Sequence, residues 1–199
     1  MCDVAEISQL ILDERQGRDR GWWDQMRRAF WPDSIVQLSW FTGSGPDFVT
    51  RSAQMSGRGD RSVHRVAAPV VHVRGDRAHA EVSTTVEFQI DYDGVPAHLV
   101  SYTRLNYRLT RRDGRWGVES LDAVYERDTL TPAIPGGVIT VDPEDIAKLR
   151  PSYALIAHYL QRRGYPVRDD LLGDDRPDQV DAFYAELLGW LEAGGDIGR

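Results

Sequence analysis

The chain has 199 residues, 41% of them hydrophobic, enough to bury one domain core with an extension and too few for two full domains. The formal net charge of −7 is concentrated in residues 126–199, where acids outnumber bases by six, and this balance argues against nucleic-acid binding. The one cysteine, Cys2, beside the first methionine, forms neither an internal disulfide nor a cysteine-rich metal site, which suits a reducing compartment. Acids flank the short apolar stretch of the first sixteen residues and no basic segment precedes it, so it does not read as a signal peptide. No run approaches the roughly 18 apolar residues of a membrane span, and the expectation is a cytoplasmic protein. Lys148, the single lysine, is the one candidate for a Schiff base or a phosphate-binding lysine, and neither chemistry has a motif around it.

In chain order, Val4, Ile7, Leu10 and Ile11 recur at helical spacing over residues 4–16, and Trp22, Trp23, Met26 and Phe30 repeat the pattern over 22–30. Between them Gln16 to Gly21 reads as a polar turn, and Trp31-Pro32-Asp33 stops the second helix. Ser34 to Phe41 predicts a short strand, and Gly43 to Asp47 a turn into a helix at about 47–55, with Pro46 suited to its start. Residues 62–74 are β-rich, and Gly75-Asp76 marks a hairpin into 77–91, where Val82, Thr84, Val86, Phe88 and Ile90 alternate with polar residues. Asp93-Gly94 and Asp113-Gly114 are hairpin signals ahead of strands at 97–111 and 115–125. Past Tyr125 the texture changes: Thr131 to Pro143 is rich in proline and glycine, and helices follow at about 144–163 and 177–193. This division predicts a domain over residues 1–127 and a helical extension over 128–199.

Helices followed by an antiparallel meander predict an α+β layer, a bent sheet with helices over one face that leaves a pocket for a small molecule. No His-x-His, His-x-x-x-His or His/Cys cluster predicts a metal site. Gly57-Arg58-Gly59-Asp60 lacks the context of a phosphate loop and reads as a helix-to-strand connection; Gly43-Ser44-Gly45 is no nucleophile elbow. No cofactor is expected.

The order of elements, with the strings WWDQMRRAFWPD, LSWFTGSGPDFV, SVHRVAAPVVHVRGDRAHAEV and RRDGRWGVESLDAVYERD, resembles the SnoaL-like branch of the nuclear transport factor 2 superfamily over roughly residues 5–127. The resemblance implies an α+β cone with a single pocket. Its members include dehydratases, polyketide cyclases, isomerases, epoxide hydrolases and non-catalytic binding proteins, and are often homodimers, so fold alone does not name a reaction. The site layout is most similar to that of scytalone dehydratase, which implies a catalytic pair formed by Asp19 of GRDRGWWDQMRR and His64 of RSVHRVAA. This sequence departs from that pattern at Arg18 and Leu38, where tyrosines are expected.

A carboxylate hydrogen-bonded to an imidazole fixes the ring's tautomer and raises its basicity, which suits dehydration or enolisation. Asp19 between Arg18 and Arg20 also reads as a solvated loop acid, and His64 as a structural histidine. His72 and His79, flanking a hairpin, are expected to be exposed. Trp23, Trp40 and Tyr102 are candidates to line the pocket, and Tyr102 or Tyr125 to donate a hydrogen bond to a developing oxyanion. On strand 97–111, Tyr102, Arg104 and Asn106 share one face; if it looks into the pocket, Tyr102 and Asn106 orient substrate, and otherwise they are surface. The expected function is a cofactor-independent lyase or isomerase, a dehydratase or cyclase of secondary metabolism, acting on a hydroxylated cyclic or polyketide-like molecule. The alternatives are a non-catalytic binding module and an epoxide hydrolase, for which Asp122 with Arg104 echoes an Asp/Arg/Asp cluster. In the extension, Tyr153, Ile156, Ala157 and Leu160 make one apolar stripe, and Val180, Phe183, Tyr184, Leu187, Leu188 and Leu191 another; each needs a partner surface, as a lid or a dimer contact.

Overall fold

A computed structural model describes residues 2–196. Helices α1 (Asp3–Arg20) and α2 (Trp23–Ala29) lead into strands β1 (Phe30–Leu38) and β2 (Phe41–Ser44), then helix α3 (Gly45–Gly57). Strands β3 (Ser62–Val66), β4 (Val70–Arg74), β5 (Arg77–Tyr92), β6 (Val95–Arg112) and β7 (Arg115–Pro132) follow. Helices α4 (Pro143–Ala147), α5 (Ala154–Arg162) and α6 (Pro177–Glu192) complete the chain. The sheet order is β2-β1-β7-β6-β5-β3, with β4 also on β5, so the expected α+β cone with its curved, mainly antiparallel sheet is present. Both hairpin turns were legible: Asp93-Gly94 and Asp113-Gly114 take positive φ at each residue, as the tight turn requires.

Several boundaries differ from the sequence reading. Residues 16–20 are not a turn; α1 runs to Arg20 and ends at Gly21, φ 72°, which closes the helix in the left-handed region. Gly17 lies inside the helix because α2 crosses it there: a Cβ would stand 2.9 Å from the Met26 nitrogen. The β-rich run 62–74 is two strands, broken at residues 67–69, with β3 and β4 pairing to different stretches of β5. Strand β1 begins already at Phe30 and pairs in parallel with β7, closing the sheet beside the meander. Strand β7 continues to Pro132, past the expected boundary at residue 128. The helix expected at 144–163 is interrupted at Arg150-Pro151, since proline lacks the N–H a helix interior needs.

The core lies between the concave sheet face and helices α1 to α3. Ile7, Ile11, Met26, Phe48, Tyr107, Trp116 and Leu121 are among its fully buried side chains. The two longer extension helices, α5 and α6, take opposite sides of the sheet. Helix α5 and the turn before it pack at the mouth of the cone: Tyr153, just ahead of the helix, meets Tyr125, ring centroids 5.1 Å apart, and Tyr159 meets Phe88 at 5.5 Å. Helix α6 lies on the outer face, where the Trp190 ring receives the guanidinium groups of Arg77 and Arg108. No helix among the described residues is long and apolar enough to cross a membrane.

Candidate active site

On α1, the stripe facing the core starts with Ile7 and Ile11 and continues, at the same helical spacing, with Glu14, Arg15 and Arg18. The buried face thus turns from apolar to charged over the last two turns. Asp19 follows in the last turn, beside β3. Because β3 is an edge strand, the His64 N–H has no neighbouring strand on that side and donates to Asp19 Oδ2 at 2.8 Å. The imidazole Nδ1 meets Asp19 Oδ1 at 2.6 Å, and the His64 side chain is 7% exposed. One carboxylate therefore binds both the backbone and the ring of His64. With Nδ1–H donated to Asp19, Nε2 is the free acceptor, and no protein group among the described residues bonds it.

Electrostatics agree with an ionised carboxylate beside a neutral ring. Burial favours a protonated Asp19, but the hydrogen bonds from His64 outweigh it and hold the carboxyl below the usual range. For His64, burial pulls the ring below its ordinary value and the Arg15 and Arg18 charges add to that, against the opposing hydrogen bond to Asp19.

His64 lines a cavity of about 50 Å³ with Arg15, Arg18, Trp40, Tyr125 and Ile156, among others. Room of this size exceeds the roughly 10–15 Å³ that one water needs and, at a water's liquid volume of about 30 Å³, admits one or two. The Tyr125 hydroxyl accepts from the Ser39 N–H at 2.8 Å, which leaves its own proton to donate. Burial pushes that phenol up to about 12, so it stays protonated at neutral pH. Glu14 neutralises Arg15 in a buried ion pair and also receives the Tyr107 hydroxyl at 3.2 Å. A larger open cleft of about 630 Å³, lined by α3, Phe41 and Tyr165, shares Trp40 and Met55 with the inner cavity.

Of the residues proposed from sequence, His64, Asp19, Trp40 and Tyr125 come together here. Trp23 does not: it is half-buried against the core and does not line the cavity. Tyr102 and Asn106 do not either, because Thr103 and Leu105 turn inward and strand alternation sends 102, 104 and 106 to the outer face. There Tyr102 stacks under the Arg127 guanidinium at 3.8 Å, and Asn106 accepts from His79 Nε2 through Oδ1 (2.9 Å) and donates through Nδ2 to the Tyr184 hydroxyl of α6 (3.4 Å). His79 is buried, not exposed, since α6 covers that hairpin; His72 stacks on it and is exposed, as expected. Asp122 and Arg104 do not form a pair: Arg104 bonds Glu81 and Glu126, and Asp122 accepts from Gln37 and Ser120.

Arg18, Arg15 and Ile156 were not singled out as site residues. For the arginines a signal was available, since charged residues continue the apolar stripe of α1; for Ile156 the stripe of the extension signalled packing, as a lid or a dimer contact, but not a place in the cavity wall.

The α+β cone with a carboxylate–imidazole pair facing its interior defines the class of molecule. The SnoaL-like domain family matches residues 1–122, and the chain belongs to that family. A PEP2-like protein of Fusarium vanettenii is 25% identical over 186 residues, covering 88% of this chain and 79% of that one. Among solved structures, the hexachlorocyclohexane dehydrochlorinase LinA-type3 of Novosphingobium barchaimii superposes with a TM-score of 0.55 at 17% identity, over 70% of this chain and 94% of that one. A candidate scytalone dehydratase of Novosphingobium aromaticivorans gives 0.53 at 14% identity, over 68% and 94%. At these identities the solved structures establish the nuclear transport factor 2-like fold and no shared reaction.

Proposed function

We propose that this protein is an acid–base lyase or isomerase that removes water from, or shifts a double bond in, a hydroxylated cyclic small molecule, using His64 as the proton carrier. The observation that supports this is the double grip of Asp19 on His64, which orients the ring and leaves Nε2 unengaged in a residue lining the cavity. Neutral Nε2 takes a proton from a carbon next to a carbonyl, the C–H electron pair moves toward the carbonyl oxygen, and Asp19 stabilises the imidazolium formed. The Tyr125 hydroxyl donates to the developing oxyanion. As the oxyanion collapses, a β-hydroxyl leaves, takes the proton back from His64 and departs as water; without a leaving group, the proton returns to another carbon and the double bond has moved.

The test is turnover of a panel of cyclic β-hydroxy ketones, read as enone absorbance, by wild type, His64→Ala and Asp19→Asn. His64→Ala is expected to lose about 10²- to 10⁴-fold in kcat with an unchanged circular dichroism spectrum. Wild-type rates in His64→Ala would refute the assignment. The small cavity favours a second reading, a non-catalytic small-molecule-binding module. On that reading wild type and His64→Ala bind the same compounds and neither converts them.

A further inference from the structure

The cavity holds a charge that the dyad chemistry does not use. Arg18 is 5% exposed, yet among the described residues it makes no ion pair, and its one side-chain hydrogen bond there is from Nη2 to the Met55 thioether at 3.4 Å. A guanidinium carries five N–H donors, and a thioether is a weak acceptor. The nearby anions are engaged elsewhere: Glu14 binds Arg15 and the Tyr107 hydroxyl, and both Asp19 oxygens hold His64. A buried charge is normally paired, because leaving it without a partner in a low-dielectric interior is costly. Burial and neighbouring Arg15 pull Arg18 down to about 10, so it remains a cation at neutral pH. A cation kept in the wall of a ligand cavity without a protein anion is a recognition element for an anion arriving from outside.

We propose that Arg18 is an oxyanion-binding residue, and that the substrate's reacting end presents an anionic oxygen, a carboxylate or an enolate, to its guanidinium beside His64. This deepens the acid–base reading and rests on it. The cavity fits the assignment: it has room for a group of about carboxylate size, and the remainder of a larger substrate has the outer cleft, across Trp40 and Met55, to occupy.

The probes are acetate and its neutral isostere acetamide, titrated at constant ionic strength and followed by the backbone amide resonances of residues 18 and 64. Acetate is expected to bind saturably and at least tenfold more tightly than acetamide, and Arg18→Met to remove that preference. The downfield Nδ1 proton of His64 should persist in Arg18→Met, showing the dyad intact. No acetate binding to wild type, equal binding of the two probes, or an undiminished preference in Arg18→Met overturns the assignment. The comparison on the unaltered protein decides even if the variant does not fold. Acetate selectivity in His64→Gln separates the two proposals, since anion binding then stands whatever becomes of the proton transfer. With a turned-over substrate in hand, Arg18→Met raising KM at constant kcat marks a fixed carboxylate, lowered kcat at constant KM marks an enolate, and no change in either again overturns it.

Discussion

His64 carries two opposing influences, burial that disfavours its charge and Asp19 that favours it, and burial prevails. A base of this kind is in its working form over most of the physiological range. The pH profile of kcat/KM should therefore rise with a midpoint below 6.5 and then level off, and Asp19→Asn, which removes the group favouring the imidazolium, should move that midpoint lower. Stability follows the same sign. Between the lowered native value and 6.5 the unfolded ring binds a proton that the folded ring does not, so stability falls as pH falls through that window. Urea titrations at several pH values should show stability falling more steeply on acidification in wild type than in His64→Gln, the difference between the two being the part that His64 contributes. The identities of Asp19 and His64 could be read from the sequence; that one carboxylate binds the ring and the backbone together could not, since it depends on β3 lying at the sheet edge.

At the scale of elements, α5 is held to the sheet by a cap from another element. Asp128 of β7 accepts the Ile156 N–H through Oδ2 at 2.9 Å, and its carboxylate faces the buried Ser101 hydroxyl across the strand pair. Burial pushes Asp128 up to about 6 against the hydrogen bond from Ile156. Its folded state thus prefers the protonated acid, and the stability it contributes below the ordinary value of 3.8 is lost as pH rises toward 6. Asp128→Asn keeps an acceptor for Ile156, offers Ser101 a donor and cannot ionise; its melting temperature at pH 7.5 should exceed that of wild type. Asp128→Ala removes the cap and should lower stability by about 1 kcal/mol at pH 5. The stripe of Tyr153, Ile156, Ala157 and Leu160 announced a packed helix, but its partner was invisible because the contacts join residues far apart in the chain.

Over the whole molecule, the segment between α5 and α6 ties the extension to the cone. Tyr125 donates its N–H to Leu172 and accepts from Asp174, so the chain past Gly173 extends the sheet edge where β1 has ended. Arg150, 8% exposed, bonds both Asp175 oxygens and the Asp169 and Leu171 carbonyls. Asp60, in the loop read from sequence as a plain connection, receives the Tyr159 and Tyr165 hydroxyls and pairs with Arg163. Arg150→Ala leaves the Asp175 carboxylate with the Ser152 hydroxyl as its remaining side-chain partner and frees two carbonyls, and urea denaturation should register a loss of about 1–3 kcal/mol. Because Ile156 and Tyr165 line the cavity and the cleft, the variant should also bind small ligands less tightly than wild type at equal folded fraction.

The sequence by itself determined the α+β class, the hairpins and most helices, since these follow from local periodicity and turn chemistry that any short window contains. It also supplied His64 and Asp19, through a family pattern. Only the tertiary structure decided which face of β6 looks inward, that α1 continues through Gly17 to present Arg18 and Asp19, and that the extension contributes to the cavity. Those are matters of register and long-range packing: alternation defines two faces of a strand but not which is buried, and a glycine that breaks one helix lets another pass close by.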